Sequence, residues 1–360
     1  MTTAVLLSGG VDSSVALATL KDEGHADLRA FYLKIWLQED EAFLGDCPWE
    51  EDLEHARAVC LRFGVPLEVI PLQREYYQRV VRYALDELAA GRTPSSDLLC
   101  NQQIKFGAFF DAVDGEIQSV ASGHYAQRLE RDGRALLARN PDPVKDQTYF
   151  LARLDRVQLE RCRFPLGRWT KAQVRERALA LDLPNSQRPD SQGICFLGKI
   201  PFDDFVRHHL GERPGPIVRQ DTGEGLGEHR GLWFYTIGQR RGLGLSGGPW
   251  YVVDKQPEDD VLLVTHGQQL AQHSTTRFEV DSLHWLCDSM TNTAEEELSL
   301  EVKVRHGPQL TRCRFQPQGD LRGLVELESP DPGIAPGQFA VFYRDEICLG
   351  CGVIRGALPS

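Results

Sequence analysis

Leu7-Ser8-Gly9-Gly10-Val11-Asp12-Ser13-Ser14 decides how the rest of this 360-residue chain is read. Before it, Ala4-Val5-Leu6-Leu7 is apolar and β-prone; after it, Val15-Ala16-Leu17 and Leu20 recur at helical spacing, so a glycine turn sits where a buried strand becomes a helix. Such a junction binds phosphate. The first N–H groups of the helix have no internal partner, the helix dipole adds positive character, and the glycines let an anion approach the backbone. Leu6, Leu7, Ser8, Gly9, Gly10, Val11, Asp12 and Ser13 are therefore the candidate nucleotide-binding residues, and Asp12 is the candidate Mg²⁺ ligand.

The common nucleotide loop, G-x-x-x-x-G-K-[ST], places a lysine on the β/γ-phosphates. None is present here. A Ser-Gly-Gly-x-Asp-Ser loop after a first strand resembles instead the PP-loop ATP pyrophosphatases, which cleave ATP between its α- and β-phosphates and adenylate a substrate oxygen. The competing reading is a serine and glycine turn capped by Asp12.

The length suggests two or three domains. No apolar run reaches the roughly 20 residues that span a bilayer, and the chain enters a strand with no basic or Arg/Ser-rich leader, so a soluble cytoplasmic protein is expected. Nine scattered cysteines do not form a secreted disulfide framework. The formal charge of −12 argues against a polyanionic partner, but residues 128–177 hold 13 Lys/Arg against 7 Asp/Glu. An acidic chain can carry a basic face.

The first half alternates strands and helices, which predicts an α/β fold with a parallel sheet covered on both faces. Strands are expected at 28–36, 66–72 and 118–122, helices at 50–63, 75–90 and 103–113, a loop at 91–101, and a helix from Thr170 capped through Gln173. From 201 to about 248 the sequence is glycine-rich and irregular. Beyond about 277 five short alternating runs predict a small β-barrel. The expected domains are 1–200 (the glycine loop and the parallel sheet), 201–275 (small and central) and 276–360 (C-terminal barrel).

Cys100 and Cys195 stand apart. Cys100 ends the loop Asp97-Leu98-Leu99-Cys100-Asn101, just before a predicted helix whose dipole would favour a thiolate. Cys195 follows the polar stretch Asp190-Ser191-Gln192-Gly193-Ile194. Cys60, Cys162 and Cys313 sit in regular patterns and read as small buried hydrophobes.

These segments, with the glycine loop, Gly91-Arg92-Thr93-Pro94, Ser122-Gly123-His124-Tyr125, Lys145-Asp146-Gln147, Gly238-Gln239-Arg240 and Pro336-Gly337-Gln338, resemble the tRNA-specific 2-thiouridylase family over essentially the whole chain. The resemblance implies that ATP adenylates the 2-oxygen of the wobble uridine of a tRNA and that sulfur from a persulfide donor then displaces AMP. It makes Cys195 the persulfide carrier, Cys100 the nucleophile that releases the sulfur, and Asp97 the residue that contacts or protonates the base. It implies adenine packing on Leu33, a nucleotide contact at Gly123, and tRNA contacts at Ser95, Ser96, Asp97, Lys145, Asp146, Gln147, Arg305 and His306. Rival readings are another PP-loop adenylating enzyme and a non-catalytic RNA-binding or sulfur-relay protein.

Three places depart from the family pattern. Thr93-Pro94-Ser95-Ser96-Asp97 lacks a second proline that would stiffen the loop, Arg188-Pro189 replaces a basic pair, and Cys348-Leu349-Gly350-Cys351 forms a lone C-x-x-C, which is weak metal evidence without a partner pair.

Overall fold

A computed structural model describes residues 2–35, 49–113, 115–190, 200–287, 297–319 and 321–358. Strands β1 (Thr2–Leu6), β2 (Leu28–Lys34), β3 (Leu67–Pro71) and β4 (Ile117–Ala121) lie parallel in the order β3-β2-β1-β4. The order reverses direction between β1 and β4. In open α/β sheets that is where ligands bind, beyond the strands' carboxyl ends, and both the glycine loop and the Ser122–Tyr125 turn emerge there.

The chain then makes a hairpin, β5 (Ala126–Arg131) and β6 (Arg134–Arg139). Its turn is Asp132-Gly133, both at positive φ (52° and 70°), the backbone that two-residue hairpins need. A short strand, β7 (Cys162–Arg163), closes the parallel sheet beside β4, and Cys162 is buried there. The helix Lys171–Ala180 starts in the capping box expected from the sequence: Thr170 accepts from the Gln173 N–H and Gln173 from the Thr170 N–H.

The central segment is more regular than its glycine content suggested. After the helix Phe202–Leu210 come β8 (Gly215–Arg219), β9 (Gly225–His229), β10 (Trp250–Gln256) and β11 (Val261–His266), in the order β10-β11-β8-β9. The last six strands are β12 (Thr275–Trp285), β13 (Leu298–Lys303), β14 (Thr311–Pro317), β15 (Gly323–Asp331), β16 (Phe339–Arg344) and β17 (Ile347–Ala357). They pair as β12-β15-β14-β13-β16-β17, and β17 returns to β12, so the antiparallel barrel closes without an edge inside the ring. Phe278, Phe315 and Phe342 fill its core. Hairpin strand β6 adds to β17 through Cys348↔Leu137 and Ile347↔Ala138, which docks the first unit on the barrel. At the same junction Lys303 and Asp146, both fully buried, meet at 2.7 Å, and the Tyr149 hydroxyl donates to the Phe339 carbonyl at 3.1 Å.

Candidate active site

The glycine loop is folded tightly on itself. Ser13 Oγ donates to the Gly10 carbonyl at 3.0 Å and accepts from the Ser8 N–H at 3.2 Å; Ser14 Oγ donates to the same carbonyl at 3.0 Å. Gly9 has φ +74°, and a Cβ there would lie 2.2 Å from the Asp52 carbonyl. Only glycine fits. Its own carbonyl is held by Asn185 Nδ2 at 2.8 Å and by Arg188, whose guanidinium also pairs with Asp52. Leu6, Leu7 and Val11 are buried and anchor the loop, whereas Ser8 is exposed.

Gly123, at the end of β4, presses on the start of the loop helix: a Cβ there would come within 2.8 Å of the Ser13 nitrogen and 2.9 Å of the Asp12 carbonyl carbon. That contact brings two chain segments separated by some 110 residues into one cradle. Next to it, Ser122 Oγ and His124 Nδ1 are 2.8 Å apart. Burial, reinforced by the Lys105 ammonium, pushes the His124 imidazole well below its ordinary pKa, so the ring is neutral. It packs on Phe106, ring centroids 6.1 Å apart. Leu33 is partly buried near the carboxyl end of β2.

Asp12 is engaged. Its carboxylate accepts from the Tyr125 hydroxyl at 2.9 Å and from Lys171 Nζ at 2.7 and 2.9 Å. Lys171 also reaches Asp190 at 2.7 Å, and Asp190 is paired in turn with Lys145 at 3.0 Å and with Arg175. Burial alone would raise the Asp190 pKa, but the Lys171 and Lys145 ammonium groups outweigh it and hold the carboxyl well below the usual range. Burial and the neighbouring Asp12 charge push the Tyr125 phenol far upward, so it stays a donor. The sequence reading passed over Lys171, Asp190 and Arg175. Their only sequence signal is polarity at the start of a helix and its downstream loop.

Cys100 lies elsewhere than expected. The helix starts at Ser96, and over Cys100–Ala108 it is wound wide in the π manner. Cys100 is thus the fifth helical residue, fully buried, beyond the first turn over which a helix dipole acts. Gln158 donates to the Gln102 and Phe106 carbonyls at 2.7 and 2.8 Å and stabilises the widened turns. Asn101 donates to the Phe150 carbonyl at 2.9 Å.

The preceding loop is held from two other units. The Thr93 N–H donates to the Pro336 carbonyl at 2.8 Å, Gln338 Nε2 donates to the Thr93 and Pro94 carbonyls at 3.2 and 3.0 Å, and the Thr93 and Thr236 hydroxyls lie 3.2 Å apart. Ser95 and Ser96 are buried and Asp97 is partly so. Cys195 lies outside the described residues.

Of the expected RNA-contact residues, Lys145 is partly exposed and Gln147 accepts from the Tyr125 N–H at 2.9 Å. Asp146 faces inward to Lys303, Thr148 and Arg139. His306 stacks on Phe150 at 4.5 Å, and Arg305 pairs with Asp331. The two segments therefore adjoin. Burial lowers the His306 pKa. Among the described residues no cluster of three or more His, Cys, Asp or Glu is placed to hold a metal ion. Cys348 and Cys351 are buried, and desolvation pushes Cys351 up to about 12 and Cys348 well above its ordinary value; these are protonated core thiols.

Comparison with known proteins agrees along the whole length. Residues 1–199 match the tRNA methyl transferase HUP domain, 203–266 the tRNA methyl transferase PRC-barrel domain and 275–354 the aminomethyltransferase β-barrel domain. A tRNA-specific 2-thiouridylase from Bacteroides thetaiotaomicron is 44% identical over 98% of this chain and 99% of its own. The chain belongs to the tRNA-specific 2-thiouridylase family. Relatives of the same name from Parabacteroides distasonis (41%) and Porphyromonas gingivalis (40%) align over 98% of this chain and 99% of theirs.

Proposed function

We propose that this chain is a tRNA 2-thiouridine synthase, an ATP-dependent sulfurtransferase that acts on a wobble uridine. The observation that carries the reading is a phosphate cradle with glycines that admit no Cβ, linked through Gly123, His124 and Phe106 to the helix bearing Cys100, in a chain related over its full length to named thiouridylases.

ATP lies with its phosphates on the Ser8–Ser13 loop and its adenine towards Leu33. Uridine O2 attacks the α-phosphorus and pyrophosphate leaves, which turns a poor carbonyl leaving group into AMP. Asp97 contacts the base. The outer sulfur of a Cys195 persulfide then attacks C2 and AMP departs. Release follows by one of two routes: after that attack the Cys100 thiolate attacks the Cys195 sulfur and the C2-bound sulfur leaves, or Cys100 first attacks the Cys195 persulfide and expels hydrosulfide, which then attacks C2 in its place; either route leaves a Cys100–Cys195 disulfide that a thiol reductant resets.

A magnesium ion fits Asp12, since such ions take one or two carboxylates and otherwise bind substrate phosphates and water. Bound there, it would neutralise phosphate charge. The tRNA is read along Ser95–Asp97, Lys145–Gln147 and Arg305-His306, with Lys145 and Arg305 supplying charge and Asp146 acting from behind as the strut of its loop. Loop bases are accessible to such recognition because they unstack readily. We divide the work among 1–200 for activation and sulfur transfer, 201–275 for tRNA contact and 276–360 for bracing, and we place the reaction in the cytoplasm with a persulfide-bearing protein as donor.

Incubation of the protein with ATP, Mg²⁺, a persulfide donor and unmodified tRNA, followed by mass analysis of the nucleosides, tests the reading. Sulfur in place of oxygen in the wobble uridine is expected. Asp12→Ala should abolish it while leaving tRNA binding intact, whereas Cys195→Ser should still release pyrophosphate. A methylated product, or thiolation by Asp12→Ala at the wild-type rate, overturns it.

A further inference from the structure

The loop lacks the lysine with which G-x-x-x-x-G-K-[ST] loops hold β- and γ-phosphates, yet the fold brings one to it from 159 residues away. Lys171 opens the helix Lys171–Ala180, which packs beside the loop helix Val11–Asp22. Its backbone N–H is fixed by Asp142 at 3.1 Å, its neighbour Thr170 is locked in the capping box, and its side chain is only 15% exposed. Its Nζ lies within 3 Å of both Asp12 oxygens.

We propose that Lys171 is the pyrophosphate-binding cation of this site, supplied to the loop by a distant helix of the same chain and held ready by Asp12 and Asp190 until ligand arrives. The proposal rests on the ATP-site reading above and adds a residue to it. The electrostatics favour it. Three acidic side chains, Asp12, Asp52 and Asp190, face four cationic ones, Lys145, Lys171, Arg175 and Arg188. Arg188 is committed to Asp52 and the Gly9 carbonyl, and Lys145 and Arg175 converge on Asp190. Of these four, Lys171 alone reaches Asp12, the carboxylate at the start of the loop helix. When phosphates enter the cradle, the Lys171 ammonium exchanges one of its carboxylate partners for the anion as negative charge grows on the departing pyrophosphate. A preorganised cation there stabilises that charge without reorganisation. Asp190, shared with Lys145 and Arg175, competes with the incoming anion for the Lys171 ammonium.

The test is calorimetric binding to the full chain, with magnesium pyrophosphate and AMP as separate probes. Lys171→Gln should weaken pyrophosphate binding about 10- to 100-fold, the worth of one charge-assisted hydrogen bond, while AMP binding stays within about twofold. Lys171→Arg should recover most of the loss. Wild-type pyrophosphate affinity in Lys171→Gln overturns the assignment. A wild-type protein that binds neither probe would refute the ATP-site reading itself. If Lys171→Gln loses AMP binding and so fails to fold, Asp190→Asn replaces it: freeing Lys171 from one carboxylate should tighten pyrophosphate binding, and weaker or unchanged binding overturns the proposal.

Discussion

Two lysine–aspartate pairs in this molecule have the same length and opposite uses. Lys171 meets Asp12 at 2.7 Å with side chains 15% and 31% exposed, and Lys303 meets Asp146 at 2.7 Å with both at 0%. Distance does not distinguish them; burial does. The first pair lies beside the glycine loop, partly open to solvent, where on the reading proposed above an incoming anion can take the place of a carboxylate. The second is sealed between the barrel and the hairpin-bearing unit, with Thr148 Oγ1 at 2.9 Å from the same carboxylate and 3.1 Å from the Tyr343 hydroxyl. Nothing can replace either partner there, so that pair fixes how the barrel sits on the unit that bears the hairpin.

The largest effect should come from the sealed pair. Lys303→Met removes the nearer of the two cations on a fully buried carboxylate and leaves only Arg139, 3.4 Å away, a change that should approach the roughly 3–5 kcal/mol of breaking a buried pair. Lys171→Gln breaks a part-exposed pair and should cost under about 1 kcal/mol. Urea unfolding of the two variants measures the contrast, and equal losses would erase it.

Lys255 sharpens the comparison from the other side. It is a buried lysine in β10, and its Nζ has no hydrogen-bond partner among the described residues. Burial lowers its pKa from 10.5 to about 8. The sign follows from linkage: between pH 8 and 10.5 the unfolded chain binds the proton that the folded one rejects, so stability rises with pH across that window. Below it the cost of the buried amine is fully present. Lys255→Met should therefore stabilise the protein at pH 7 by up to about 3 kcal/mol, and the gain should shrink as the pH rises towards 10.5. Thermal unfolding at pH 7 and pH 10 decides; a destabilised Met variant at pH 7 would mean that the amine has a partner in solution.

The fold of the glycine loop was legible because its physics is local: strand, glycine turn and helix adjoin in the chain, and each leaves a pattern. The capping box at Thr170 was legible for the same reason. The ion network was not, because Lys171, Asp190 and Arg175 become site residues only when the Lys171–Ala180 helix packs on the loop helix. Asp146 reads as a polar loop residue beside Lys145, and only the fold reveals Lys303 behind it. The hairpin carried a plain signal, Asp132-Gly133, that alternating apolar runs elsewhere overshadowed. In the barrel five strands were expected; the sixth, Ile347–Ala357, holds glycines at 350, 352 and 356 that break the alternation. A Cβ at Gly350 would lie 2.1 Å from the His284 carbonyl, so close strand approach, not side-chain packing, shaped that sequence.

A smaller effect than those of the two buried lysines concerns the arm that carries Asp97 and Cys100, whose clamp to the barrel is made of neutral hydrogen bonds. The loop lacks a second proline, and the barrel supplies the missing stiffness through Pro336 and Gln338. Gln338→Ala removes two hydrogen bonds to backbone carbonyls and should cost about 1–2 kcal/mol. Its functional signature should separate the two halves of the site. Pyrophosphate binding, which depends on the Asp12 and Lys171 side, should remain within about twofold, while sulfur transfer slows and the buried Cys100 thiol alkylates faster because its arm moves more freely. Salt gives a second separation. Neutral hydrogen bonds are scarcely screened, so the Gln338→Ala defect should persist at high ionic strength, whereas the difference between Lys171→Gln and wild type should narrow as salt screens a part-exposed cation. If both defects respond to salt alike, the clamp acts through the ion network and the two halves are one unit.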